Sequence, residues 1–294
     1  TALEPVAPPT QKAIFGYGNT GSNVSITNLV NSSGVVATDT TGVGTAREKL
    51  GAAGYGGDKA IFGYGSAGPD LSMTNLVSNS GVVATDVTGV GTARRDIRAT
   101  TYGLDKAIFG YGVTSGVVSI TNLVNSSGVV STDVTGVGTA REQLGAAGYG
   151  GDKAIFGYGT NGGNVSMTNL VSSSGVVSAD VSGVGTGRYA LAAASYGSDK
   201  ALFGYGYASS YVSITNLVSN TGVVSSDVSG VGTARFRLAA ASYGGDKALF
   251  GYGNTGSQVS ITNLVSSSGV VASNVTGVGT ARSNLAAAGF STSA

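Results

Sequence analysis

The chain has 294 residues, of which 11% are charged, and its formal net charge is only +1. That balance argues against nucleic-acid binding through a general basic field, and no apolar run approaches the roughly 18 residues of a membrane-spanning helix. Cysteine, histidine and tryptophan are all absent, which excludes disulfides, thiol chemistry and Ser-His-Asp or Cys-His catalytic sets.

In chain order, residues 1–11 come first and hold three of the four prolines. They are expected to form an extended leader or a tether. The start at Thr1 is expected to reflect processing or excision from a longer chain. From residue 12 onward the sequence repeats. Phe-Gly-Tyr-Gly recurs with its Phe at Phe15, Phe62, Phe109, Phe156, Phe203 and Phe250, always 47 residues apart. A second mark, Gly-Thr-Ala-Arg (Gly-Thr-Gly-Arg once), ends at Arg47, Arg94, Arg141, Arg188, Arg235 and Arg282 with the same spacing. Six full periods therefore follow the leader.

Each period predicts four short strands. In the second copy the first covers residues 50–55 and is small and apolar. A Gly-Gly-Asp turn leads to the second, residues 59–64. A loop precedes the third, residues 71–77, and a turn precedes the fourth, residues 82–87. Glycines and β-branched residues oppose a helical alternative throughout. Four strands at this period point to the blades of a propeller. The chain begins at a second strand, Lys12, and ends with a first strand, residues 285–290. Pairing these two completes a sixth unit and removes an open edge. The expected fold is all-β: a closed six-bladed β-propeller over residues 12–294, with four antiparallel strands per blade and a C-terminal strand completing the N-terminal blade. An open β-solenoid competes, but it calls for distinct caps, and the terminal copies are ordinary.

The stretch from Arg235-Phe236-Arg237-Leu238 through Tyr243 to Phe250-Gly-Tyr-Gly253 resembles the kelch repeat. It runs from an Arg through a small apolar strand and a Gly-Asp turn to an apolar strand ending in glycines. It departs from that pattern in having Gly-Tyr-Gly for Gly-Gly and no Trp in the last strand. The near-identical copies also look like the kelch-like repeat proteins of bacteriophage tails and virions. The resemblance implies a propeller used as a binding or structural module, in a virion or on an extracellular surface.

Chemistry is sparse. Kelch-type copper oxidases need His and Cys, and sialidase-like propellers carry a Trp-ended aspartate box; neither set is possible here. Any metal would need all-oxygen ligands, and no Asp-x-Asp-x-Asp loop occurs. No catalytic residue, metal or cofactor is expected. The repeated Asp39, Asp86, Asp133, Asp180 and Asp227, with Asn274 in the sixth slot, are expected to partner the repeated arginines as a structural ring. A ring of arginines open to an anion near the axis is the alternative.

The copies differ mainly in two places: the two residues after each repeated Arg, and the loop between the second and third strands. Of the 31 charged residues, 22 occupy repeated slots and Glu4 lies in the leader. The remaining eight are Glu48, Lys49, Asp70, Arg95, Asp96, Arg98, Glu142 and Arg237. The aromatics outside repeated slots are Tyr189, Tyr207, Tyr211 and Phe236. All twelve fall in the variable segments, apart from Arg98 just inside a first strand. Antiparallel pairing would bring these segments to one face. A constant scaffold with varied loops on one face is how binding sites are commonly built. The expected partner is a glycan or a protein surface, with assembly contacts as the alternative.

Overall fold

The computed structural model describes residues 10–294, and among them there is no helix. Most of the expected leader, residues 1–9, lies outside the described residues. The strands begin with β1 (Lys12–Gly16) and β2 (Thr27–Val30). Two triplets follow: β3 (Gly51–Tyr55), β4 (Lys59–Ser66) and β5 (Asp70–Val77), then β6 (Arg98–Tyr102), β7 (Lys106–Gly110) and β8 (Thr121–Val124). Next come β9 (Gly145–Tyr149), β10 (Lys153–Gly157) and β11 (Thr168–Val171), then β12 (Ala192–Tyr196), β13 (Lys200–Gly204) and β14 (Thr215–Val218). The last are β15 (Ala239–Tyr243), β16 (Lys247–Gly251), β17 (Thr262–Val265) and β18 (Ala286–Phe290). They form six separate three-stranded antiparallel sheets in a propeller-like arrangement. Five use consecutive strands. The sixth is ordered β18-β1-β2, with Lys12 opposite Phe290 and Gly16 opposite Ala286.

The Ala- and Gly-rich first strands are innermost. β3, β6, β9, β12, β15 and β18 neighbour one another in that order, and β18 also neighbours β3. Two rings of backbone hydrogen bonds mark the ends of this inner wall. At the turn end, Gly56 N–H donates to Asp105 O at 2.7 Å, and each turn repeats the bond to the next. Gln11 and Ser291 stand in at the sixth sheet: Gly244 donates to Gln11 O, and Ser291 donates to Asp58 O. Thr10 and Gln11, expected in the leader, therefore belong to the ring. At the other end, Lys49, Asp96, Gln143, Ala190, Arg237 and Asn284 form a second ring, each N–H bonded to the preceding carbonyl at 2.8–3.2 Å. All six are left-handed, with φ between 52° and 58°, although none is glycine. Isolated non-glycine residues rarely adopt this conformation, and here closure of the ring holds it six times.

The core lies between neighbouring sheets, and Phe-Gly-Tyr-Gly is its joint. Phe109 presses on Gly63 of the preceding sheet so closely that a methyl there would sit 2.7 Å from the ring. The same contact recurs around the circle and closes with Phe15 on Gly251. The Tyr stands edge-on or tilted to the next sheet's Phe, as Tyr17 does to Phe62 at 5.1 Å. Above that Tyr lies the repeated Arg. Arg47 is fully buried, with its guanidinium 4.3 Å from the Tyr17 ring centre. It donates to Tyr64 O at 2.9 Å, to Thr45 O at 3.1 Å and to Asn75 Oδ1 at 2.7 Å. A desolvated charge is stable only with its donors filled, and the cation–π contact adds to them. Burial pushes the Tyr64 hydroxyl up to about 12, against the opposing pull of Arg94. It stays neutral and donates to Val90 O at 3.0 Å.

Two sequence expectations need correction. The carboxylate is not the direct partner of the Arg. Asp133 accepts from Thr92 N–H and Oγ1–H and from Asn122 Nδ2–H, and approaches Arg94 only to 4.0 Å. The Asn is the intermediary, and the predicted arginine ring is a set of buried joints, not a ring open to an anion. The fourth segment is also not a strand. It touches its neighbour through isolated bridges, Thr27 with Thr40 and Val30 with Val36. Three steps along β2 thus oppose four along the segment, so it bulges. Asn28 Nδ2–H fills the gap by donating to Ala37 O at 2.9 Å and to Asp39 Oδ1 at 2.9 Å.

One joint differs. Where Asn274 replaces Asp, Arg235 Nη2 and Asn263 Oδ1 are buried without partners. Asn274→Asp should let both re-pair, raising stability by about 1 kcal/mol in chemical denaturation; no gain would overturn this account. Gly157→Ala pushes a methyl into Phe203, 2.7 Å away, and should cost about 1–3 kcal/mol by the same measurement. Acid should loosen the other five joints together. Burial alone would raise the Asp133 carboxyl, but hydrogen bonds from Thr92 and Asn122 outweigh it and hold it below its ordinary range. Asp39, Asp86, Asp180 and Asp227 behave alike. A carboxyl shifted down on folding contributes fully above its unfolded pKa and loses that contribution as pH falls through the folded one. Stability should therefore decline as pH falls below about 4, and Asp133→Asn should flatten that decline.

Candidate recognition face

The connection after each repeated Arg and the loop between second and third strands meet at one end of every sheet. Short bridges tie them. Tyr189 pairs with Tyr207, and Tyr207 with Tyr211; Glu142, Thr160 and Asn164 are joined in the same way. Glu48 bridges Ser66, which pairs with Asp70. Each unit thus displays a cross-strand triplet: the residue after the Arg, and the first and fifth residues of the loop. The residue after that, second from the Arg, sits instead on the axis in the left-handed ring. Successive residues of an extended chain point to opposite sides, so the two-residue segment divides into an outer position and an axial one.

All twelve predicted residues lie at this end. The four aromatics form one cluster. Tyr207 is 5.4 Å from Tyr189, 5.7 Å from Tyr211 and 6.0 Å from Phe236, measured between ring centres. Tyr211 and Phe236, from adjacent sheets, stack at 5.0 Å with planes 18° apart. All four are half-buried, with rings partly open to solvent. Arg237 covers Phe236, its guanidinium 4.7 Å from the ring centre.

The charged residues form a second group. Arg95 Nη1 donates to both oxygens of Asp70, at 3.0 and 2.9 Å, and that pairing raises the Arg95 pKa. Asp96 is buried, with Lys49 Nζ at 3.9 Å and Arg95 Nε at 4.0 Å. Burial raises its pKa against the pull of Lys49, Arg98, Arg95 and Arg237. Glu142 is raised by burial and then by Asp96. Glu48 Oε2 accepts from Asn284 Nδ2–H at 2.7 Å. Arg237 reaches both groups, lying over Phe236 and acting on Asp96.

Much of the variation is spent between sheets. The fifth loop residue contacts the next unit in five cases. Asn23 donates to Ser66 O, Asn164 to Ala208 O and Gln258 to Asn19 O. Asp70 holds Arg95, and Tyr211 stacks on Phe236. The sixth is Val117.

Two cavities lie on the axis. One of about 110 Å³ is walled by the inner strands, and its single charged lining residue is Arg98. The other, about 280 Å³, opens among the turns and is lined by Tyr55, Tyr102, Tyr149, Tyr196, Lys59 and Lys153, among others. The sequence did not single out that end because its tyrosines and lysines recur in the repeat and its few differences carry no charge or added aromatic ring. Apart from Thr10, the lining belongs to the repeat.

No family model and no curated protein matches the sequence. Among solved structures the chain is similar to one described as "Structure of YjhT". The TM-score is 0.64 at 11% identity, covering 91% of this chain and 98% of that one. At that identity the likeness concerns the fold alone, and it extends over most of both chains.

Proposed function

We propose that this chain is a closed six-bladed β-propeller of kelch-like type, acting as a non-enzymatic recognition module. Its variable face binds a glycan or a protein surface, as part of a phage tail, a virion or an extracellular surface. The closed circuit of inner strands supports the architecture. The aromatic cluster of Tyr189, Tyr207, Tyr211 and Phe236 carries the functional reading. Rings half-open to solvent and bordered by polar side chains suit stacking on sugars or on a partner's apolar anchors. Nothing in the repeat requires them, since Thr160 and Asn164 fill the places of Tyr207 and Tyr211 in a sister unit.

The second reading is a building block that makes assembly contacts. It is favoured by the six repeated valines that stand out at the other turns, Val35 at 62% exposure and Val176 at 67% among them.

The sister unit supplies the test. Tyr207→Thr with Tyr211→Asn copies that unit and should keep the fold. In glycan-array and cell-binding assays it should weaken binding at least tenfold, about 1.4 kcal/mol. Unchanged binding overturns the aromatic site; if it comes with self-association in ultracentrifugation, it supports the building block.

A further inference from the structure

The axis of the variable face carries cations that the fold does not use. Arg98 stands where the sister units have Gly51, Gly145, Ala192, Ala239 and Ala286. It faces the inner cavity, otherwise walled by Ala, Gly, Leu, Ser and Thr. A guanidinium offers five N–H donors, and Arg98 uses one, Nη1 to the Ile97 carbonyl at 2.9 Å. Just above it, the left-handed ring presents Lys49 and Arg237. Among the described residues neither side chain makes a hydrogen bond: Lys49 reaches Asp96 only at 3.9 Å, and Arg237 lies over Phe236.

Among the described residues Asp96 is the one carboxylate that all three cations act on. Arg95 is engaged further out with Asp70 and Glu48 with Asn284, while the half-buried Glu142 lies beside Asp96 and draws on Arg95 and Lys49. Asp96 itself makes no close contact, its nearest cations lying at 3.9 and 4.0 Å. The same ring carries Gln143, whose amide oxygen is buried without a partner. A half-turn of that amide, giving up its present contact with Glu142, would offer N–H donors in its place. Charged donors are strongest on an oxyanion, and a low-dielectric wall strengthens them further.

We propose that the axial mouth of the variable face binds one oxyanion group, a carboxylate, sulfate or phosphate, held by Arg98 from inside the channel and by Lys49 and Arg237 at its rim. The site goes beyond the aromatic cluster and does not depend on it. Arg237 borders both, so a ligand with an anionic group beside a stacking ring would engage the two together.

Sister units again supply the variants. Arg98→Ala copies Ala192, and Lys49→Ala copies Ala190, which holds the same left-handed backbone. Inorganic phosphate, sulfate and acetate are titrated separately into the full chain by calorimetry at fixed ionic strength. The three arms distinguish the phosphate, sulfate and carboxylate sources. Saturable binding of at least one is expected. Arg98→Ala should weaken it at least tenfold and Lys49→Ala severalfold. Asp96→Asn, which removes the competing carboxylate, should tighten it. Tyr207→Thr with Tyr211→Asn should leave it unchanged, so loss of the aromatic site and loss of this one are told apart. Absence of saturable binding for all three anions, or equal binding by folded Arg98→Ala, overturns the proposal.

Discussion

The ring depends on a positive charge taken out of water at every junction between sheets. A buried guanidinium would be ruinous if its donors were unfilled. Its partners therefore dictate the surroundings: a Tyr whose backbone turns its carbonyl inward, a Thr carbonyl, and an Asn held by the bulged outer segment. The Tyr is left-handed at each joint, as Tyr64 is with φ 63°. That turn lets one residue serve two sheets, its carbonyl meeting its own unit's Arg and its ring lying under the next. The glycine before it leaves room for the neighbouring Phe. Four residues of sequence thus encode a contact between sheets, and their identity in every copy follows from there being one way to make it.

A joint this demanding leaves the far ends of the sheets free to differ. The outer triplets are tied by short bridges that use backbone atoms, so almost any side chain fits. The axial ring is similar, because its six backbones bond to one another whatever they carry. Lys, Asp, Gln, Ala, Arg and Asn all occupy it in one conformation. The scaffold can therefore accept aromatic rings in one sector and charges in another without disturbing the joints below.

The sequence made the period, the inner position of the small-residue strands, the pairing of the last strand with the first and the shared face legible. These follow from spacing and strand direction alone. The partner of the Arg was not legible. Asp and Arg recur together, but an Asn stands between them, and a fully conserved Asn in a Thr-Asn-Leu-Val strand carries no mark of its role. The fourth strand was overread. Its valines have strand propensity, yet one extra residue against β2 and the intruding Asn28 side chain break the ladder. The sequence shows which loops vary and that they share a face, but not how they are tied together. Arg95 clasps Asp70 and Tyr211 stacks on Phe236 across sheet boundaries. Such pairings join residues about half a period apart, and no local pattern announces them.

The sheet that joins both ends of the repeat sets an order of assembly. Arg282 donates to the Tyr17 carbonyl, 265 residues earlier in the chain. During synthesis β1 and β2 emerge before the other strands of the repeat but lack their inner strand until β18 follows. Five units can form in sequence while the first keeps an unpaired edge, the kind of edge that recruits other chains. Every internal copy carries a first strand able to pair with that edge. Until β18 emerges, the correct strand is therefore in a race with related substitutes, in this chain or in a neighbour on the same message.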